Sequence, residues 1–248
     1  MKKALKRIAL GLGILIVFLV IFFVGYGIKA KSEIKSMTPL ETKQIVENVF
    51  SIQDTFVNLF LIKDGDQYVA IDAGNNPEIV SEELKKLNIS PEKVVAVLLT
   101  HTDGDHVAAI TLFKNAKIYL SKQEEQLING EEGRFFIFGN KIDTKDYILV
   151  EDQDNFNIGN LKIKGILTPG HTLGSMCYLI NEKYLFIGDA ASLKADKLDK
   201  FNTFFNMDTD MAVESMSIIS NIPEAEYLIT DHYGYTDDYK NAVKDWGK

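Results

Sequence analysis

The feature that most constrains this chain is an apolar run at residues 94–99 that stops abruptly in His101-Thr102-Asp103-Gly104-Asp105-His106. A short, valine-rich apolar run reads as a strand buried on both faces, so the polar hexad lies in the loop at its C-terminal end. Imidazole and carboxylate together bind divalent metals. Four such side chains within six residues cannot all point the same way, and a turn at Gly104 lets them converge on two neighbouring ions.

The rest of the histidine inventory agrees. The chain has four histidines; the other two are His171, in Thr168-Pro169-Gly170-His171-Thr172-Leu173-Gly174-Ser175, and His232, in Thr230-Asp231-His232-Tyr233-Gly234. Both follow apolar, strand-like runs, and Asp189 ends a further run in Phe186-Ile187-Gly188-Asp189. Any one of these histidines fits an ordinary surface or helix-end position. All four at strand ends, with Asp103, Asp105 and Asp189, fit a shared metal centre better.

In this order the motifs resemble those of the metallo-β-lactamase-fold metallohydrolases, whose first motif is His-x-His-x-Asp-His, followed by Gly-His, a strand-terminal Asp and a last His. The resemblance covers about residues 46–246. It implies an α/β fold of the four-layer αββα sandwich type and two divalent ions, with zinc expected and iron or manganese as alternatives. His101, Asp103 and His171 would hold one ion, Asp105, His106 and His232 the second, and Asp189 would bridge them. Asp72, in Tyr68-Val69-Ala70-Ile71-Asp72-Ala73-Gly74, matches the strand-end aspartate that supports the metal loop from behind. One departure stands out: Asp103 occupies a position where the family norm is histidine. Carboxylate is a harder, negatively charged donor, which shifts preference towards iron or manganese and leaves a weaker Lewis acid. Similar His-x-Asp-x-Asp-His motifs occur in the metallohydrolase domain of bacterial DNA-uptake channel proteins, and an acidic residue here also resembles the di-iron flavodiiron proteins.

The reaction that the resemblance implies is hydrolysis by a hydroxide generated between the two ions, with Asp105 orienting the nucleophile and Tyr233 or Tyr235 donating to a developing oxyanion. Asp105, Asp189 and Tyr233 are therefore the expected catalytic residues. One class of true β-lactamase carries a metal-binding cysteine where this chain has Asp189, whereas a bridging aspartate resembles the hydrolases of thioesters, lactones and phosphate esters. A small ester-type substrate is expected, and a β-lactam is not. The stretch after Asp231 is short for the helical substrate domain of glyoxalase II. Readings from other classes are a di-iron oxidoreductase-like protein and a metal-binding module without turnover.

The amino terminus carries a second signal. Lys2, Lys3, Lys6 and Arg7 precede residues 8–28, which run without a charge and would span about 30 Å as a helix, the thickness of a bilayer's hydrocarbon core. Residues 1–31 read as a single-pass membrane anchor, 32–45 as a linker and 46–248 as the hydrolase domain. The alternative is a cleaved signal sequence and a secreted domain, for which Gly25-Tyr26-Gly27 is a poor cleavage site. The excess of positive charge before the span predicts an N-terminus inside and the domain on the extracytoplasmic side. Six of the 27 basic residues lie in residues 1–31, which leaves 21 against 35 acidic residues in the rest. A domain that acidic argues against nucleic acid as a partner and for a small molecule.

Within the domain the patterning predicts strands at 49–52, 56–63 and 67–72 with a hairpin turn at Asp64-Gly65-Asp66, then a helix through Leu87. A helix over 106–113, a strand at 117–120 and a second helix over 121–129 follow, the last capped by Ser121 with Glu124 three residues on. Strands at 147–150, 161–168, 176–181 and 184–188 form the second half. Two aromatic segments are expected to wall the pocket: 131–145, with Arg134, Phe135, Phe136 and Phe138, and 192–211, with Phe201, Phe204, Phe205 and Met207. Cys177 alternates with Met176 and Tyr178 and reads as a small core residue.

Overall fold

The computed structural model of the chain describes residues 2–134, 138–144 and 146–246. It divides into two units, Met1–Met37 and Thr38–Lys248. The first is built on one helix, α1 (Lys2–Ile34), whose large apolar side chains from Ile8 to Val24, and Ile28, are exposed, Phe18 and Ile28 at 67% each. Its best window has a mean hydropathy of 3.0. By length and composition it is a candidate membrane span, and a signal sequence passes the same test.

The second unit opens with an antiparallel meander: β1 (Lys43–Val46), β2 (Val49–Asp54), β3 (Val57–Asp64) and β4 (Gln67–Ile71). Asp64 pairs with Gln67 across a two-residue turn, Gly65-Asp66, and Gly65 takes the φ of +60° that the turn requires. Helix α2 (Pro77–Lys86) then crosses over to β5 (Val94–Leu98), which lies parallel to β4. Asn76 accepts from the Ile79 N–H to cap α2, and Pro77 opens its first turn. Beyond β5 come the short α3 (Gly104–Val107), β6 (Lys117–Ser121), α4 (Glu125–Asn129) and β7 (Tyr147–Val150), which completes a seven-stranded sheet in chain order.

The second sheet holds β8 (Asn155–Ile158), β9 (Leu161–Leu167), β10 (Met176–Ile180) and β11 (Tyr184–Phe186). A ribbon, β12 (Ser192–Lys194) with β13 (Lys197–Asp199), and helix α5 (Thr209–Ile219) lead to β14 (Tyr227–Ile229), β15 (Tyr235–Thr236) and α6 (Tyr239–Val243). The sheet order is β15-β14-β11-β10-β9-β8.

Side-chain alternation along the strands turns these two sheets into four layers. In β3, Leu59 and Leu61 join Val80 and Leu84 of α2, while Phe60 and Ile62 face the other sheet and meet Tyr178 and Phe186. In β10, Met176 and Tyr178 face that middle core, while Cys177 and Leu179 pack outward with Met216 and Ile219 of α5 and Tyr239 of α6. The αββα expectation is met. Fully burying each of these large side chains stabilises the fold by roughly 1.5–3 kcal/mol, which fixes strand register because a one-residue slip would exchange the two cores.

Two local expectations are corrected. The predicted helix over 106–113 breaks into α3 and a 3-10 turn at Ile110–Leu112. The His106 carbonyl accepts from the Ala73 N–H at 2.8 Å, and the Ala109 N–H goes to Gly74, so the ladder is diverted to the loop after β4. Ser121 closes β6 rather than opening a helix there: its hydroxyl accepts from the Glu124 N–H at 3.0 Å and donates to the Gly174 carbonyl at 2.6 Å. Helix α4 starts at Glu125.

Cys177 is fully buried, and burial pushes its thiol up to about 12. At pH 8 the reactive thiolate is then about one part in ten thousand. A thiol reagent is expected to leave the native protein unmodified for hours and to label one cysteine per chain in denaturant; rapid labelling of the native state would show that β10 opens.

Candidate metal centre

The strand ends put the predicted ligands in one place. His101 follows β5, His106 sits in α3, His171 lies in the loop between β9 and β10, Asp189 follows β11, and His232 lies between β14 and β15. Three groups have ligating atoms within 4.8 Å of one another: Asp72, His101 and His106; His101, Asp103 and His171; and Asp105, His106 and His232. Asp189 stands between the last two. Its Oδ2 is 3.4 Å from His171 Nε2, 3.6 Å from His106 Nε2 and 3.9 Å from His101 Nε2, and its Oδ1 is 3.2 Å from His232 Nε2. That close approach needs Gly188, at φ +51°, where a Cβ would fall 2.5 Å from the Thr100 hydroxyl oxygen.

What the four imidazoles share is a held Nδ1. His232 Nδ1 is 2.7 Å from the Phe56 carbonyl, which only accepts, so this nitrogen carries the proton. His106 Nδ1 lies 2.9 Å from Asp72 Oδ2 and 3.2 Å from Asp231 Oδ2, both carboxylate oxygens. The Thr100 hydroxyl donates to Asp72 Oδ2 at 2.6 Å and therefore accepts from His101 Nδ1, 3.0 Å away. His171 Nδ1 is 3.3 Å from Asn206 Oδ1. The partner chemistry assigns each Nδ1 as donor and turns each Nε2 to the centre, where it can ligate once it gives up any proton it carries. Nε2 of His101, His106 and His232 and Oδ1 of Asp189 are buried without a hydrogen-bond partner among the described residues. Buried polar atoms are normally paired, so this convergent set fits divalent cations.

Charge sharpens the fit. Burial alone would raise Asp189 and Asp103, yet the histidines around Asp189, and His171 and Arg134 beside Asp103, hold both well below the usual carboxylate range. Burial disfavours charge on His106 and His232, yet Asp105, Asp189 and Asp72 lift the first well above its ordinary value and Asp189 lifts the second to about 9. Burial, with His106 and His171 close by, pushes His101 well down. Several buried carboxylates packed around imidazoles whose Nε2 atoms converge make a pocket that attracts cations.

Asp72 lies behind the loop. It is fully buried at φ +57°, a costly conformation for a non-glycine residue, and accepts from the Thr100 N–H at 2.7 Å as well as from the groups above. Tyr233 is half-buried, with its ring 6.0 Å from that of Phe201. Tyr235 instead donates its hydroxyl to the Ile45 carbonyl at 3.2 Å and packs in the middle core. Phe201 forms an apolar wall, its ring 5.0 Å from His171 and 6.0 Å from His232. Of the other aromatic segment, Phe135, Phe136, Ile137 and Lys145 lie outside the described residues.

Two buried residues, Asp231 and Glu124, enter the centre with no role there expected from the sequence, and a third, Arg134, expected only in the pocket wall, reaches a candidate ligand. Asp231 backs His106, and burial beside Asp72 drives its carboxyl well above the usual range. Glu124 accepts from Thr102 N–H and hydroxyl at 2.7 Å each, from the Thr172 hydroxyl at 2.6 Å and from the Gly174 N–H at 3.1 Å, tying the His101 loop to the His171 loop. Arg134 forks onto Asp103, Nε to Oδ1 at 2.8 Å and Nη2 to Oδ2 at 2.7 Å. A signal for Arg134 was present: it and Arg7 are the two arginines in the sequence, against 25 lysines.

The metallo-β-lactamase superfamily profile matches residues 52–232. The chain belongs to that superfamily. A probable metallo-hydrolase of Methanocaldococcus jannaschii is 31% identical over 63% of this chain and 65% of its own length. A probable polyketide biosynthesis zinc-dependent hydrolase of Bacillus velezensis is 32% identical over 49% of this chain and 48% of its own length. The chain thus spans less than two thirds of either relative. A probable metallo-hydrolase of Bacillus subtilis is 27% identical over 82% of the chain and 98% of its own length. Among solved structures, a B3 metallo-β-lactamase described as having an active-site glutamic acid superposes with a TM-score of 0.65 at 20% identity, covering 88% of this chain and 90% of that one. That likeness is one of fold.

Proposed function

We propose that this superfamily member is a membrane-anchored, binuclear metal-dependent hydrolase of small ester-type substrates, thioesters, lactones or phosphoesters. The observation that carries the reading is the set of four imidazoles, each with Nδ1 held by an acceptor and Nε2 turned to a carboxylate that faces them all. His101, Asp103 and His171 would hold one ion and Asp105, His106 and His232 the other, with Asp189 serving both; zinc is the expected metal, in keeping with the zinc-dependent relative. Divalent ions, when bound, would supply Lewis acidity at a carbonyl or phosphoryl oxygen and make water more acidic near neutral pH. Asp105, its side chain 23% exposed, orients the attacking water and accepts its proton at a carboxylate oxygen. Tyr233 donates to the oxyanion, and Phe201 excludes water from the acyl or aryl side of the substrate. Helix α1 anchors the domain on the extracytoplasmic side of the membrane, following the positive charges before the span.

The test uses the full-length chain in mild detergent. Metal analysis is expected to find about two zinc ions per chain, and a panel of thioester, lactone, phosphodiester and β-lactam substrates to identify an ester that turns over. Chelation abolishes turnover and added zinc restores it. Zinc bound without turnover of any ester would leave a binding module on a hydrolase fold.

A further inference from the structure

Arg134 does not behave as a bystander on the pocket wall. Its side chain is 4% exposed, and it forks onto both oxygens of Asp103 while Nη2 also reaches the Phe205 carbonyl at 2.6 Å. The same Nη2 lies 3.3 Å from His171 Nε2, the ring atom turned to the centre. Asn140 adds a donor at 2.9 Å to Asp103 Oδ1. A guanidinium therefore touches ligating atoms of two of the three residues in the His101, Asp103 and His171 group. Among the described residues, no lysine or arginine forms an ion pair in the Asp105, His106 and His232 group, whose two imidazole Nε2 atoms have no hydrogen-bond partner.

We propose that the centre takes up its two ions unequally, because the Arg134 guanidinium competes for Asp103 and His171: the Asp105, His106 and His232 position fills first, and the other fills only as Arg134 gives up its contacts. Two cations sharing Asp103 at such distances repel each other strongly in a buried site. Asp103 and Arg134 then form one device. The carboxylate that replaces the usual histidine recruits a fixed organic cation, and this cation sets the metal concentration at which the second ion enters. The inference rests on the two-ion reading above.

Stepwise calorimetric titration of the metal-free, full-length chain with Zn²⁺ tests it. The wild type is expected to bind one ion tightly and the second at least about 100-fold more weakly. Arg134→Met, which removes the charge but keeps a long apolar stem, is expected to narrow the gap below about 10-fold by strengthening the weak step. Two variants assign the steps without depending on how Arg134→Met folds: His171→Ala should remove the weak step alone, and His232→Ala the tight one. Two equal steps in the wild type, a weaker second step in Arg134→Met, or loss of the tight step in His171→Ala would each overturn the proposal. A chain that binds no zinc in either step would instead overturn the two-ion reading, and this inference with it.

Discussion

Changing Asp189 to alanine is expected to cut hydrolysis by at least about 1,000-fold and to leave no more than about one zinc ion per chain. Asp189 is the carboxylate that both histidine groups face: Oδ2 lies 3.4–3.9 Å from Nε2 of His171, His106 and His101, and Oδ1 lies 3.2 Å from Nε2 of His232. Without it, the remaining carboxylates sit at one end each. Asp105 stays with His106 and His232, and Asp103 stays forked by Arg134. Neither can span the centre. Asp189→Asn separates charge from shape, since the amide keeps the volume but offers a single neutral oxygen; it should lose activity nearly as far while melting close to the wild type. Metal analysis and turnover on the same preparations decide the matter. Full zinc content in Asp189→Ala would move the bridge to another residue.

The parts of this site that were legible in the sequence are those carried by local pattern. Residues 94–99 had to be a buried strand, and a strand end followed by two histidines and two aspartates delivers its ligands wherever the sheet places it. The same logic located His171, Asp189 and His232, each after an apolar run, and the strand-end Asp72. What stayed hidden depends on contacts remote in sequence. Arg134 meets Asp103 31 residues away, and Glu124 meets Gly174 50 residues away, through packing that no periodicity encodes. Glu124 even carried a plausible local explanation, a capping box with Ser121, which proved half right: the serine accepts from the Glu124 amide, but the glutamate side chain turns inward. Helix 106–113 failed for a related reason. Its apolar spacing was sound, yet the His106 carbonyl found a partner in Ala73, and a tertiary hydrogen bond outcompeted the next helical one.

Glu124 sets the second large effect. Glu124→Gln is expected to destabilise the domain by about 2–4 kcal/mol and to weaken zinc binding, although Glu124 is in none of the candidate ligand groups. Its Oε1 accepts from the backbone N–H and hydroxyl of Thr102, and its Oε2 from the hydroxyl of Thr172 and the backbone N–H of Gly174. A glutamine offers one oxygen and one amide nitrogen. The threonine hydroxyls can rotate to accept, but the backbone donors cannot, so whichever way the amide is turned either Thr102 N–H or Gly174 N–H faces another donor in a fully buried site. The cost is that of an unsatisfied buried group, not of one lost surface contact. A side chain closer in cannot replace the bond, because Gly174 already packs so tightly that a Cβ there would meet the Glu124 backbone nitrogen at 2.1 Å. For a domain of this size, 2–4 kcal/mol corresponds to a fall in melting temperature of roughly 5–15 °C. Because Glu124 joins the loop that carries His101 to the loop that carries His171, loosening it spreads the ligands of one ion while His232 keeps its anchor on the Phe56 carbonyl. Zinc titration should therefore show the larger loss in the step that His171→Ala removes. An unchanged melting temperature together with unchanged zinc affinity would mean that the two loops are held by the strands alone.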